Sequence, residues 1–317
     1  MSRRAPTGHV LLLILAGLVA CRPAGGAIHD RGDLSSRAIR AVATTGMVGD
    51  VVRNVGDGRV HVDVLMGPGV DPHLYKATEG DVLRIGGADA VFYSGLHLEA
   101  KMADVFEQIG DQVRTIAVTD GIERSRLFEP PEFEGSYDPH VWFDVEMWSE
   151  TARVVRDTLV SMDPQHAGVY RANERSYVAG LESLDRYVAR QARRVPEQQR
   201  VLITAHDAFR YFGRAYDFEV RGLQGISTVS EAGTADVSSL ADFIVARRIP
   251  AIFVESSVPT RFVQAVQEAV QARGSEVEVG GQLYSDAMGD PETPDGTYVG
   301  MVRHNIDSIV AALMEGS

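Results

Sequence analysis

Residues 164–194 read PQHAGVYRANERSYVAGLESLDRYVARQARR, and this stretch decides the fold. Its one proline stands first, just after Asp163, where a helix does not need the missing backbone N–H. Beyond it only Gly168 and Gly180 interrupt the helix formers. Tyr170, Tyr177, Leu181, Leu184 and Val188 recur at helical spacing, while Arg and Glu fill the other faces. The pattern predicts one helix, ~45 Å long at about 1.5 Å per residue. Such a helix runs the length of a molecule, so residues 161–196 are expected to link two lobes as a rigid strut.

Upstream, 39–45 is an apolar β-prone run followed by an amphipathic stretch, 46–55. Val60, Val62 and Val64 alternate with Arg59, His61 and Asp63, the pattern of a half-buried strand over 59–66. Thr78 suits the cap of a helix running to about Gly86, and 90–93 and 113–118 read as buried strands. Downstream, strands at 201–205, 218–223, 251–255 and 276–279 alternate with helices at 206–216, 235–247, 260–272 and 297–314. The expected fold class is α/β. Two lobes, 38–160 and 197–317, each carry a mainly parallel sheet flanked by helices. No internal repeat or low-complexity tract is evident.

The chain opens with Arg3 and Arg4, an apolar run from Val10 to Ala20, and then Cys21, its one cysteine. The run is shorter than the ~20 apolar residues of a spanning helix and reads as a secretory signal over residues 1–20. Leu18-Val19-Ala20-Cys21 resembles the bacterial lipobox, so Cys21 is expected to be lipidated and to anchor the protein to a membrane outside the cytoplasm. One cysteine allows no internal disulfide, and stability must come from packing. Residues 21–37, rich in Gly, Pro, Ser and charge, read as a tether. The formal charge of −13, more negative still once Arg3 and Arg4 leave with the signal, argues against nucleic acid as a partner.

Asp-Pro-His occurs twice, as Asp71-Pro72-His73 and Asp138-Pro139-His140, each followed two residues later by an aromatic, Tyr75 and Trp142. Average residue usage predicts a given tripeptide on the order of a few hundredths of a time in such a chain, so the repeat carries information. Proline stiffens the backbone before each imidazole and keeps the preceding residue extended. A ring held this way loses little entropy on binding an ion. His206 follows strand 201–205, at the strand end where open α/β sheets hold ligands, and Asp286 follows the strand near Val277. Three imidazoles and one carboxylate form a closed shell for a divalent ion, with acceptors expected behind each ring. Glu255, closing strand 251–255, is the reserve ligand or a group behind one. Asp71 and Asp138 are expected to orient their loops through backbone hydrogen bonds. His97 reads as structural, and His9, His29, His61, His166 and His304 as solvated or satisfied. Spacing alone does not bring the four candidates together.

These residues resemble the TroA-like, helical-backbone solute-binding receptors of zinc and manganese ABC importers. The matching stretches are Asp71-Pro72-His73-Leu74-Tyr75, Gly95-Leu96-His97-Leu98-Glu99, Asp138-Pro139-His140-Val141-Trp142, Thr204-Ala205-His206-Asp207-Ala208-Phe209, Phe253-Val254-Glu255-Ser256-Ser257 and Leu283-Tyr284-Ser285-Asp286-Ala287-Met288-Gly289. The resemblance covers the chain beyond the tether. It implies one metal ion held between two lobes, with His73 and His140 from the first and His206 and Asp286 from the second. It also implies a permease and an ATPase as partners and a monomeric receptor that is not an enzyme. Release would part His206 and Asp286 from His73 and His140. One departure stands out: the His-rich loop of many zinc-specialised members is missing, since 123–136 holds no histidine.

The donor set suits Zn2+, whereas the missing loop and Ser285-Asp286-Ala287-Met288-Gly289 match members associated with Mn2+, so both ions stay open. A surface adhesin on the same fold is the alternative reading. A metallohydrolase needs an open metal position and a base, and neither His-Glu-x-x-His nor a nucleophile motif is present. A receptor for chelated metal or haem would call for more aromatic residues.

Overall fold

The computed structural model describes Met1 and residues 33–315 apart from 111 and 134. Cys21, His9 and His29 lie outside the described residues. The first lobe runs β1 (Ile39–Ala43), α1 (Gly46–Gly56), β2 (Val60–Val64), α2 (Glu79–Gly87), β3 (Ala90–Tyr93), α3 (Ala103–Ile109) and β4 (Arg114–Ala117). Its four strands form one parallel sheet in the order β2-β1-β3-β4. Short α4 (Val145–Ser149) and α5 (Thr151–Met162) lead into the strut, α6 (Ala167–Ala192). The second lobe follows as β5 (Val201–His206), α7 (Arg210–Tyr216), β6 (Glu219–Gln224), α8 (Thr234–Arg247), β7 (Ala251–Glu255), α9 (Arg261–Gln271), β8 (Glu278–Leu283) and α10 (Tyr298–Glu315). Here β5 pairs with β6 and β7 with β8, both parallel, and β5 lies against β7.

The strut is shorter than the pattern predicts. Pro164–His166 make a 3-10 turn, and α6 proper holds 26 residues. Its buried stripe is Tyr170, Tyr177, Leu181, Leu184, Val188 and Ala192, which packs on α1, α4 and α5 of the first lobe and on α7 and α10 of the second. Polar bolts reinforce the apolar seam. Buried Asp163 accepts from Arg59, His166 and Tyr170, Tyr177 donates to Asp50 on α1 at 2.9 Å, and Tyr187 donates to Asp307 on α10 at 2.7 Å. A helix tied to both lobes by side chains along its whole length resists hinging.

Local signals set several boundaries. Thr78 and Asp81 form a capping box at α2, and the Asp81 carboxylate also accepts from the Tyr75 hydroxyl at 2.7 Å, which fixes the loop carrying His73. Thr45 is not the end of β1 but the cap of α1. The strand expected at 201–205 extends through His206, which pairs with Gln224, so the helix expected from 206 begins at Arg210. The sequence reading missed α3 and α4, too short to show a period, and α5, whose Ala152, Val155 and Leu159 do show one. Arg59 donates to the carbonyls of Leu34, Ser35 and Arg37, so the body already holds the stretch just after Asp33, and the tether is shorter than its composition predicts. No helix among the described residues is long and apolar enough to cross a membrane.

Candidate metal centre

Every candidate residue lies in a segment that follows a parallel strand or at a strand's last position. His73 is in the loop after β2, His140 in the segment after β4, His206 ends β5, Glu255 ends β7, and Asp286 follows β8. Asp71 and Asp138 orient their loops as expected, accepting the backbone N–H of His73 at 2.8 Å and of His140 at 3.0 Å.

His73, His140, His206 and Asp286 come together, with one donor atom from each inside a 4.8 Å cluster, and all four are buried. His140 Nε2 is 3.3 Å from His73 Nε2 and 3.4 Å from His206 Nε2. The Asp286 oxygens stand 3.3 Å from His206 Nε2, 3.5 Å from His140 Nε2 and 3.7 Å from His73 Nε2. A tetrahedral shell with bonds of about 2.0–2.1 Å has edges of about 3.3–3.4 Å, so a small divalent ion fits the gap between the donors. Both Asp286 oxygens are buried without a hydrogen-bond partner. An orphaned carboxylate is costly, and a cation at this point removes the cost. Each of its oxygens faces a ring, so the carboxylate can bind through one atom or two.

Second partners fix two of the rings. His140 Nδ1 donates to Asp138 Oδ1 at 2.7 Å, and His206 Nδ1 donates to Glu255 Oε2 at 2.5 Å. Each ring thereby presents Nε2 to the cluster in the tautomer a metal requires. Glu255 also accepts the His206 backbone N–H at 2.8 Å, so the reserve candidate stands behind a ring and outside the four-atom cluster. At His73 the arrangement differs: Asp71 turns its second oxygen to Thr228 rather than to the ring.

Burial and charge set the protonation states. Burial, helped by the His140 and His206 rings, pushes His73 down to about 3 despite Asp286. Burial also disfavours a charged His206, but the carboxylates of Glu255 and Asp286 outweigh it and hold the ring well above its ordinary value. Burial works against ionised Asp286 as well, yet the rings, His206 foremost, hold it below the usual carboxylate range.

The other described histidines stay apart from the cluster. His97 is exposed with a left-handed backbone (φ 66°) and lines a separate cavity with Tyr93 and Tyr137. His166 pairs with Asp163, and His304 contacts the Gln282 carbonyl and Asp295. Sequence reasoning missed Trp142 as a tie between lobes: its Nε1 donates to the Ser285 carbonyl at 3.0 Å. The aromatic after each Asp-Pro-His was the available signal.

Residues 41–312 match the family described as ZnuA, zinc-uptake complex component A, periplasmic. The chain is 52% identical over 272 residues to the zinc-binding protein TroA of Treponema pallidum, covering 86% of this chain and 88% of that one. It is 46% identical over 283 residues to the manganese-binding lipoprotein MntA of Bacillus subtilis, covering 89% and 92%. The solved structure of the periplasmic zinc-binding protein TroA from Treponema pallidum superposes with a TM-score of 0.85 at 51% identity, over 87% of this chain and 99% of that one. The chain belongs to the ZnuA family, the TroA-like metal-binding receptors of zinc and manganese ABC importers.

Proposed function

We propose that this protein is an extracytoplasmic receptor that captures one zinc or manganese ion between its lobes and delivers it to the permease and ATPase of an ABC importer. His73, His140, His206 and Asp286 are the ligands, and Asp138 and Glu255 orient two of them. The carrying observation is the convergence of four buried donor atoms on one point, where the Asp286 oxygens face three imidazoles and meet no hydrogen-bond partner. TroA and MntA, relatives with different named metals, support both ions as cargo. In a shell of three nitrogens and a carboxylate, intrinsic affinity runs higher for zinc than for manganese. The ion loaded in the cell then depends on supply.

The receptor reading is favoured over a metallohydrolase because four donors already close the shell and Glu255 faces His206 rather than an open metal position. No specific contact favours the adhesin reading. The same proposal includes cleavage after residue 20, lipidation of Cys21, a tether that ends before Asp33 and a monomer in solution. Lobes at 38–160 and 197–317 are joined by 161–196.

Elemental analysis and competitive zinc and manganese titrations of the parent and of Asp286→Ala test the reading. The parent should bind one equivalent of either ion, zinc more tightly, and the variant should lose affinity for both. Equal affinities in the two proteins would remove Asp286 from the shell.

A further inference from the structure

The two Asp-Pro-His loops are tied to the second lobe in different ways. Three hydrogen bonds stitch the His140 segment to it. Trp142 Nε1 donates to the Ser285 carbonyl, the Tyr298 hydroxyl donates to the Trp142 carbonyl at 2.7 Å, and the Tyr211 hydroxyl donates to the Asp138 carbonyl at 2.9 Å. Ser285 adjoins Asp286, Tyr211 is on α7 and Tyr298 opens α10. Although His140 follows a first-lobe strand, its segment is bonded through Trp142 to the neighbour of Asp286 and through two backbone carbonyls to α7 and α10.

The His73 loop has a lighter hold. Among the described residues its side-chain hydrogen bond to the second lobe is Thr228 Oγ1 to Asp71 Oδ2, at 2.6 Å. Elsewhere it passes close without bonding: Gly69 (φ 72°) skirts the Ser256 carbonyl, and a Cβ there would lie 3.3 Å from the oxygen. The Asp71 carboxylate joins the two sides, because its other oxygen accepts the His73 backbone N–H. Thr228 is itself buried, yet it sits in the segment between β6 and α8 beside exposed Val229. His73, like His140 and His206, is buried.

We infer that the Thr228–Asp71 hydrogen bond is the catch that keeps His73 on the metal, and that release begins with departure of the His73 loop while His140, His206 and Asp286 stay together. Asp71 and Thr228 are positioning residues that act through His73. The inference rests on the metal-receptor reading. It differs from a parting of the lobes that would carry His140 away with His73.

The test is zinc dissociation from the full chain, followed by rapid mixing with excess chromogenic chelator, for the parent, Thr228→Val and Thr228→Ser. Valine keeps the shape and loses the hydroxyl, whereas serine restores it. A hydrogen bond to a charged acceptor predicts a rise in the dissociation rate of about tenfold for Thr228→Val and recovery toward the parent rate in Thr228→Ser. An unchanged rate in Thr228→Val, or the same acceleration in Thr228→Ser, would overturn the catch while leaving the receptor reading intact. A parent that binds no zinc would overturn both.

Discussion

Glu255 holds His206 at two points, taking the ring Nδ1–H on one carboxylate oxygen and the backbone N–H on the other. The carboxylate therefore sets both the orientation and the tautomer of the ring. Glu255→Gln leaves one acceptor where two are needed and removes the negative charge. Zinc affinity should fall by about 10–100-fold, the usual effect of losing a group behind a metal-binding histidine. Competitive titration against a chelator measures it, and an unchanged affinity would show that packing alone orients the ring.

The same charge makes metal capture sensitive to pH. In the metal-free protein, Glu255 and Asp286 hold a proton on His206 above the ordinary range despite burial. A metal ion needs that Nε2 free, so binding at neutral pH should expel a proton from His206. Affinity should rise with pH until the raised value is passed. Zinc addition in weak buffer with a pH indicator should show proton release at neutral pH, with less released in Glu255→Gln.

Acid should destabilise the metal-free protein through His73. Its folded value of about 3 lies below the ordinary 6.5, so the unfolded chain takes up the proton first. Stability then falls as pH drops from about 6.5 toward 3, by up to a few kcal/mol. His206 does not oppose this: a raised value contributes fully below about 6.5 and is lost only as pH rises through the folded value. Asp286, with a lowered value, contributes above 3.8 and loses its effect only as pH falls further. Thermal melts of stripped protein between pH 7 and 4 should steepen this way in the parent and flatten in His73→Leu.

Gly222 on β6 lies against the end of β5. A Cβ there would fall 2.4 Å from the Asp207 nitrogen and 2.6 Å from the His206 carbonyl carbon. Gly222→Ala must push the two strands apart at His206 itself. We expect a loss of about 1–3 kcal/mol, as for other overpacked sites, together with weaker zinc binding. Denaturant unfolding and metal titration read the two effects separately.

Much of this protein is written locally. The α6 stripe, the Thr78 cap and the alternation of β2 depend on neighbours within a turn or two, so composition and period reveal them. The two Asp-Pro-His motifs likewise announced rigid loops bearing imidazoles. Asp71 and Asp138 do bond to backbone two residues away, a contact that spacing alone allows one to foresee.

Only the folded chain decided which donors share a point and what stands behind them. His73 meets His140 across 67 positions, Glu255 reaches His206 across 49, and Thr228 reaches Asp71 across 157. Such contacts arise from the order of parallel strands and from the strut packing on both lobes, not from any local preference of the residues concerned. A sequence can therefore name the side chains fit to bind a metal. The meeting of four of them at one point, and the unequal fastening of their loops, are properties of the packed structure.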